Sequence, residues 1–151
     1  MRQDFVSCRF SFIMGVEVFL CMKYPKFLNE KYNTIGVCAM SSGVGHKLDS
    51  FDASIEYIQS NGFHIVETAS VRNNSEPSID AKTRVDELNS LVNDSSVGAV
   101  WLAAGGDFQF ETLPYIDFDL IEKNPKWYLG ASDPTNLLFP ITCKCDLATV
   151  Y

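Results

Sequence analysis

The feature that most constrains this chain is a change of hydrophobic period that repeats from residue 34 onward. Thr34-Ile35-Gly36-Val37-Cys38-Ala39-Met40 is a short, almost wholly apolar run, the pattern of a strand buried on both faces of a parallel sheet. The next apolar residues, Leu48, Phe51, Ile55 and Ile58, recur at spacings of three and four, the stripe of an amphipathic helix. Asn61-Gly62 then supplies a helix-ending glycine signal. The alternation repeats. Phe63 to Val66 reads as a second strand, Val85, Leu88, Leu91 and Val92 mark a second helix, and Val97 to Ala103 reads as a third strand. Residues 69–78 are polar and read as a loop, and a short helix or turn is expected from Phe118 to Lys123. Trp127-Tyr128-Leu129 is the fourth strand. Asp133-Pro134 then opens a helix carrying Leu137, Leu138 and Ile141, since aspartate is a good N-cap and proline is tolerated in the first turn.

Strands alternating with helices predict the α/β class, a mostly parallel sheet flanked by helices. In such sheets chemistry collects beyond the carboxyl ends of the strands. Three loops of small residues, at 41–45, 104–107 and 130–133, fall at those ends.

Composition narrows the function. With 151 residues the chain has the length of one domain. Its net charge of −7 argues against a nucleic-acid partner, which needs a basic face, and against an anionic membrane surface. Cys8, Cys21, Cys38, Cys143 and Cys145 include no Cys-x-x-Cys pair, and only His46 and His64 could join them. A zinc site is therefore not expected, and free thiols in a reducing cytoplasm are the simpler reading. Phe10 to Met22 is apolar apart from Glu17, with Arg2 and Arg9 before it. Asp4, Glu17 and the lack of a small-x-small cleavage site weaken a signal-peptide reading. Residues 1–21 are expected to be an N-terminal extension, Met22 being a plausible second start.

Gly130-Ala131-Ser132-Asp133-Pro134 lies between a predicted strand and helix. A sharp turn there lifts the Ser132 hydroxyl clear of the sheet and aims it at backbone N–H groups. Such donors stabilise an oxyanion. Proline stands where the usual Gly-x-Ser-x-Gly elbow has its last glycine, and the plainer reading is a serine that caps a helix. Gly105-Gly106-Asp107 follows the third strand, and a diglycine lets backbone approach a ligand. Its plainer reading is a turn. The amides of Gly106 and Asp133 could converge on one oxygen atom. Ser41-Ser42-Gly43-Val44-Gly45 lacks the spacing of a dinucleotide or Walker loop. His64 falls in a predicted strand and reads as structural, His46 in a loop and reads as solvated. Asp117 and Asp119 read as solvated or capping.

Several segments together carry a resemblance. They are Tyr24-Pro25-Lys26-Phe27-Leu28, Ile35-Gly36-Val37, Ser41-Ser42-Gly43-Val44-Gly45, Asp80-Ala81-Lys82-Thr83-Arg84, Gly105-Gly106-Asp107, Leu113-Pro114-Tyr115-Ile116-Asp117-Phe118-Asp119, Asn124-Pro125-Lys126 and Gly130-Ala131-Ser132-Asp133-Pro134-Thr135. In order and spacing, from about Met22 onward, the chain resembles the N-terminal domain of the LD-carboxypeptidases. These are serine peptidases that include muropeptide carboxypeptidases and microcin C immunity peptidases. The resemblance implies a class I glutamine-amidotransferase-like fold with no metal or other cofactor. Ser132 would be the catalytic nucleophile, and the amides of Gly106 and Asp133 would form the oxyanion hole. It implies cleavage of an amide bond in a muropeptide or peptide–nucleotide substrate, a cytoplasmic setting and, in full-length members, a homodimer. It also implies a Ser-Glu-His triad whose glutamate and histidine come from a C-terminal domain. Neither His46 nor His64 falls at the family's position, and the sequence ends at Tyr151 where the family continues. The chain is thus expected to be the nucleophile-bearing half, as a truncated gene product, a fragment or half of a split enzyme, active only with a C-terminal half; the alternative is an inactive remnant or binding domain. A glutamine amidotransferase would want cysteine where this chain has Ser132.

Overall fold

The computed structural model describes residues 8–11, 17–20, 22–30 and 32–151. The expected N-terminal extension lies largely outside the described residues. Within it, β1 (Cys8–Ser11) and β2 (Glu17–Leu20) pair antiparallel.

The expected alternation is realised as β3 (Thr34–Cys38), α1 (Leu48–Ser60), β4 (His64–Glu67), α2 (Ala81–Asn93), β5 (Val97–Leu102), α3 (Phe118–Lys123), β6 (Trp127–Leu129) and α4 (Thr135–Cys145). The four later strands form one parallel sheet in the order β4-β3-β5-β6. That order fixes where the site lies. From β3 the chain crosses by α1 to β4 on one side, then returns by α2 to β5 on the other side of β3. Right-handed crossovers in opposite directions put α1 and α2 on opposite faces. They also open a crevice where the order reverses, between the carboxyl ends of β3 and β5.

Two cores follow from the two faces. Phe51 and Ile55 of α1 pack with Val37, Ala39, Val44 and Val71. On the other face Val85, Leu88, Leu91 and Val92 of α2 meet Ile121, Leu137, Leu138, Ile141 and the sheet residues Cys38, Val100, Leu102 and Tyr128. The α4 helix runs through Pro140, although an interior proline costs about 3 kcal/mol. Leu137, Leu138 and Ile141 are buried on that helix. At ~1.5–3 kcal/mol each, their burial outweighs the break.

Local signals set the ends. Gly62 takes φ +86 after α1. The Asp80 carboxylate accepts from the Thr83 amide at 3.0 Å and so caps α2, and Asp117 accepts from the Leu120 amide at 2.9 Å and caps α3. Beyond α4 the chain turns back beside β6. The Val150 amide donates to the Tyr128 carbonyl at 2.8 Å, and Gly130 donates to the Val150 carbonyl at 3.2 Å.

Candidate active site

The three small-residue loops meet at the crevice. A cleft of about 490 Å³ is lined by Ser42, Val44, His46 and Lys47 from the first loop and its short turn. Phe51 of α1, Trp101 and Ala103 to Gly106 around the β5 end, and Ser132 complete most of its wall.

Ser132 is exposed and sits at φ +66. A non-glycine residue in that region costs about 1–2 kcal/mol, so the turn must be held by its surroundings. On one side, Thr135 donates to the Ser132 carbonyl at 2.9 Å and begins α4. On the other side Asp133 does the holding, in a way the sequence reading missed. The expectation that Asp133 caps α4 is corrected: its side chain accepts no backbone amide of that helix, and Pro134 occupies the N-cap position. One oxygen, Oδ2, instead accepts from the Phe108 amide at 2.9 Å, the Gln109 amide at 2.8 Å and the Ser41 hydroxyl. The other, Oδ1, accepts from the Asn136 side-chain amide at 2.7 Å. The reason is geometric. The αL turn at Ser132 points the Asp133 side chain back over the sheet end, where residues 108 and 109 start a 3₁₀ turn, Gln109–Tyr115, with unspent amides.

Gly106 takes φ +139, and a Cβ there would overlap the hydroxyls of both Ser41 and Ser42. The loop is bound back to the first one through the Ser42 amide, which donates to the Gly105 carbonyl at 3.1 Å. Among the described residues, the backbone amides of Gly106 and Asp133 have no hydrogen-bond acceptor. The Ser42 hydroxyl, buried beside Gly106, has no partner among them either.

A further residue hidden in the sequence is Arg84. It lies on α2, where a charged residue usually faces water, yet it is wholly buried. Its Nη1 donates to the carbonyls of Met40 at 2.8 Å and Phe108 at 2.9 Å, and Nη2 pairs with Glu111 at 2.6 Å. The guanidinium therefore ties the loop after β3 to the loop after β5. The signal that could have found it is its place in the stripe: Arg84 precedes Val85 and lies four before Leu88.

The other candidates separate. His46 is exposed on the cleft wall, whereas His64 is exposed at the start of edge strand β4, away from the cleft. Among the described residues neither histidine hydrogen-bonds Ser132, and no cluster of histidine, cysteine or carboxylate side chains is placed to hold a metal. Burial pushes the Cys38 thiol and the Tyr128 phenol well above their usual ranges, so neither supplies a competing nucleophile beneath the cleft. No helix of the described residues is long and apolar enough to cross a membrane.

An open parallel sheet with a strained serine on a strand-to-helix turn, facing a diglycine loop at the switch point, defines an α/β domain with a cleft at its strand ends. Comparison with known proteins makes this specific. The chain belongs to the LD-carboxypeptidase family, its residues 35–151 matching the model of the LD-carboxypeptidase N-terminal domain. It is 34% identical over 102 residues to the microcin C7 self-immunity protein MccF of Escherichia coli, covering 67% of this chain and 30% of that protein. It is 30% identical over 128 residues to a probable murein peptide carboxypeptidase of Bacillus subtilis, covering 84% and 39%. The solved structure of MccF without ligand superposes with a TM-score of 0.76 at 30% identity, over 85% of this chain and 38% of MccF. The chain thus spans less than two-fifths of the relatives it matches.

Proposed function

We propose that this chain is the nucleophile-bearing N-terminal domain of a serine-type LD-carboxypeptidase. Its reaction is hydrolysis of an amide bond in a muropeptide or a peptide–nucleotide conjugate. The observation that carries the reading is the backbone of Ser132. A residue held at φ +66 on a strand-to-helix turn, with its side chain on a cleft, is the arrangement a nucleophile elbow requires.

The steps follow from general acyl-transfer chemistry. Ser132 Oγ attacks the carbonyl carbon while its proton passes to a base. The carbonyl oxygen gathers negative charge and takes hydrogen bonds from the Gly106 and Asp133 amides. The C–N bond breaks, the amine leaves with the proton, and water then hydrolyses the acyl-serine. The base is assigned, by family resemblance, to the histidine of a C-terminal domain. The two substrate classes are supported by the relatives: solved structures of MccF hold aspartyl sulfamoyl adenosine and glutamyl sulfamoyl guanosine, and the Bacillus subtilis relative is named for murein peptides.

A second reading, a binding domain that does no chemistry, is favoured by the absence of a base on Ser132 among the described residues. One experiment separates them. The chain, alone and mixed with a family C-terminal domain, is treated with a fluorophosphonate and digested for mass analysis. The hydrolase reading expects a phosphonylated peptide containing Ser132, strongest in the mixture and lost in Ser132→Ala. Equal labelling of Ser132→Ala overturns it, and no labelling in either setting leaves the binding reading.

A further inference from the structure

The geometry points to a positioning role for the Asp133 side chain, separate from its backbone amide: we propose that its carboxylate is the clamp that sets the distance between the two oxyanion donors. The proposal rests on the reading of Gly106 and Asp133 as those donors.

A single oxygen, Oδ2, receives three donors from two other strand ends: the Ser41 hydroxyl from the β3 loop and the Phe108 and Gln109 amides from the β5 loop. The Asp133 side chain thereby fastens the Ser132 turn to the loop that carries Gly106. Charge-assisted bonds of this kind are about twice as strong as neutral ones, and an oxyanion hole works only if its donors are fixed before charge develops. Ser41 completes the clamp, because its hydroxyl also accepts from the Phe108 amide at 3.1 Å. The strained φ of Ser132 gives the clamp something to resist, since release would let the turn relax toward ordinary backbone.

The test uses ¹⁵N-labelled whole chain as wild type, Asp133→Ala, Asp133→Asn, Ser41→Ala and Ser132→Ala. Asp133→Ala is expected to raise amide exchange at Phe108 and Gln109 about tenfold and to shift the Gly106 resonance. Asp133→Asn restores most of both, because its carbonyl oxygen still accepts and the Asn136 amide can turn to match. Ser41→Ala falls between, and Ser132→Ala leaves them as in wild type. Where labelled wild type is seen, Asp133→Ala also slows phosphonylation of Ser132 by about 10²-fold while reversible binding of an aminoacyl sulfamoyl adenosine changes less than threefold. The clamp is overturned if Gly106 and the Phe108 and Gln109 exchange rates stay at wild-type values in a folded Asp133→Ala chain or, should that variant not fold, in Ser41→Ala. It is also overturned if Asp133→Asn is no better than Asp133→Ala. Absence of labelling in wild type, both alone and mixed with the C-terminal domain, counts against the nucleophile reading and leaves the amide measurements to decide the clamp.

Discussion

The guanidinium of Arg84 reaches the carbonyl of Phe108 at 2.9 Å, while the amide of Phe108 reaches Asp133 at 2.9 Å. Phe108, two residues beyond the diglycine, is thus held through both its carbonyl and its N–H, once from inside α2 and once from the serine turn. Removing Arg84 would orphan the buried carbonyl of Met40 and the half-buried carbonyl of Phe108. Arg84→Met is expected to lower unfolding free energy by about 2–4 kcal/mol, measured by urea denaturation. Arg84→Lys should recover less than half of that, since a compact ammonium lacks the planar spread by which the guanidinium reaches the two carbonyls and the Glu111 carboxylate from different nitrogens.

The two glycines of the diglycine should fail differently. A methyl at Gly106 would overlap the Ser41 and Ser42 hydroxyls at a φ that side chains avoid, so Gly106→Ala is expected to cost about 2–3 kcal/mol and displace the loop. A methyl at Gly105 would lie 3.3 Å from Ser132 Cβ and 3.4 Å from its Oγ. Gly105→Ala should therefore stay within about 1 kcal/mol of wild type yet slow fluorophosphonate labelling of Ser132. Thermal melts and labelling rates on the same preparations check both.

Strain at Ser132 has a stability signature. Alanine keeps the cost of φ +66 and glycine removes it. After the greater chain entropy of glycine is allowed for, Ser132→Gly is expected to be about 0.5–1 kcal/mol more stable than Ser132→Ala, both being inert to the probe. A Ser132→Gly variant less stable than Ser132→Ala by urea denaturation would contradict a strained turn.

Acid should weaken the domain through its capping carboxylates. The Thr83 hydroxyl and amide hold the Asp80 carboxyl below its usual value of 3.8, and the Ser96 hydroxyl and amide do the same for Asp94. A depressed carboxyl contributes stability above its unfolded value and loses it as pH falls through the folded one. The urea midpoint is therefore expected to fall below about pH 5, and to fall less steeply in an Asp80→Asn, Asp94→Asn double variant.

The thiols sort by burial. Cys143 is exposed, whereas Cys38 and Cys145 are buried and their thiols are raised by that burial. An aromatic disulfide reagent at neutral pH should modify Cys143 promptly, and Cys38 and Cys145 only after urea is added. Mass mapping of modified peptides reads this directly.

The sequence by itself determined the elements and their order. Hydrophobic period is a local property, so Leu48 to Ile58 could only be a helix stripe and Val97 to Leu102 only a buried strand, and both stand where the pattern puts them. It also determined that the small-residue loops would lie at strand ends, because a parallel sheet leaves no other place for them. Tertiary structure decided what those loops do to one another. Asp133 read as the cap of its own helix because the residues next to it allow that; the partners of its Oδ2 are 24, 25 and 92 positions away. Arg84 stood in the sequence only as a member of the Asp80–Arg84 segment, and it is a buried tie because two distant carbonyls meet over it. The positive φ of Ser132 belongs to the same class. No local preference of serine produces it, and it persists because hydrogen bonds from two other strand ends converge on the next residue and leave the turn no cheaper conformation.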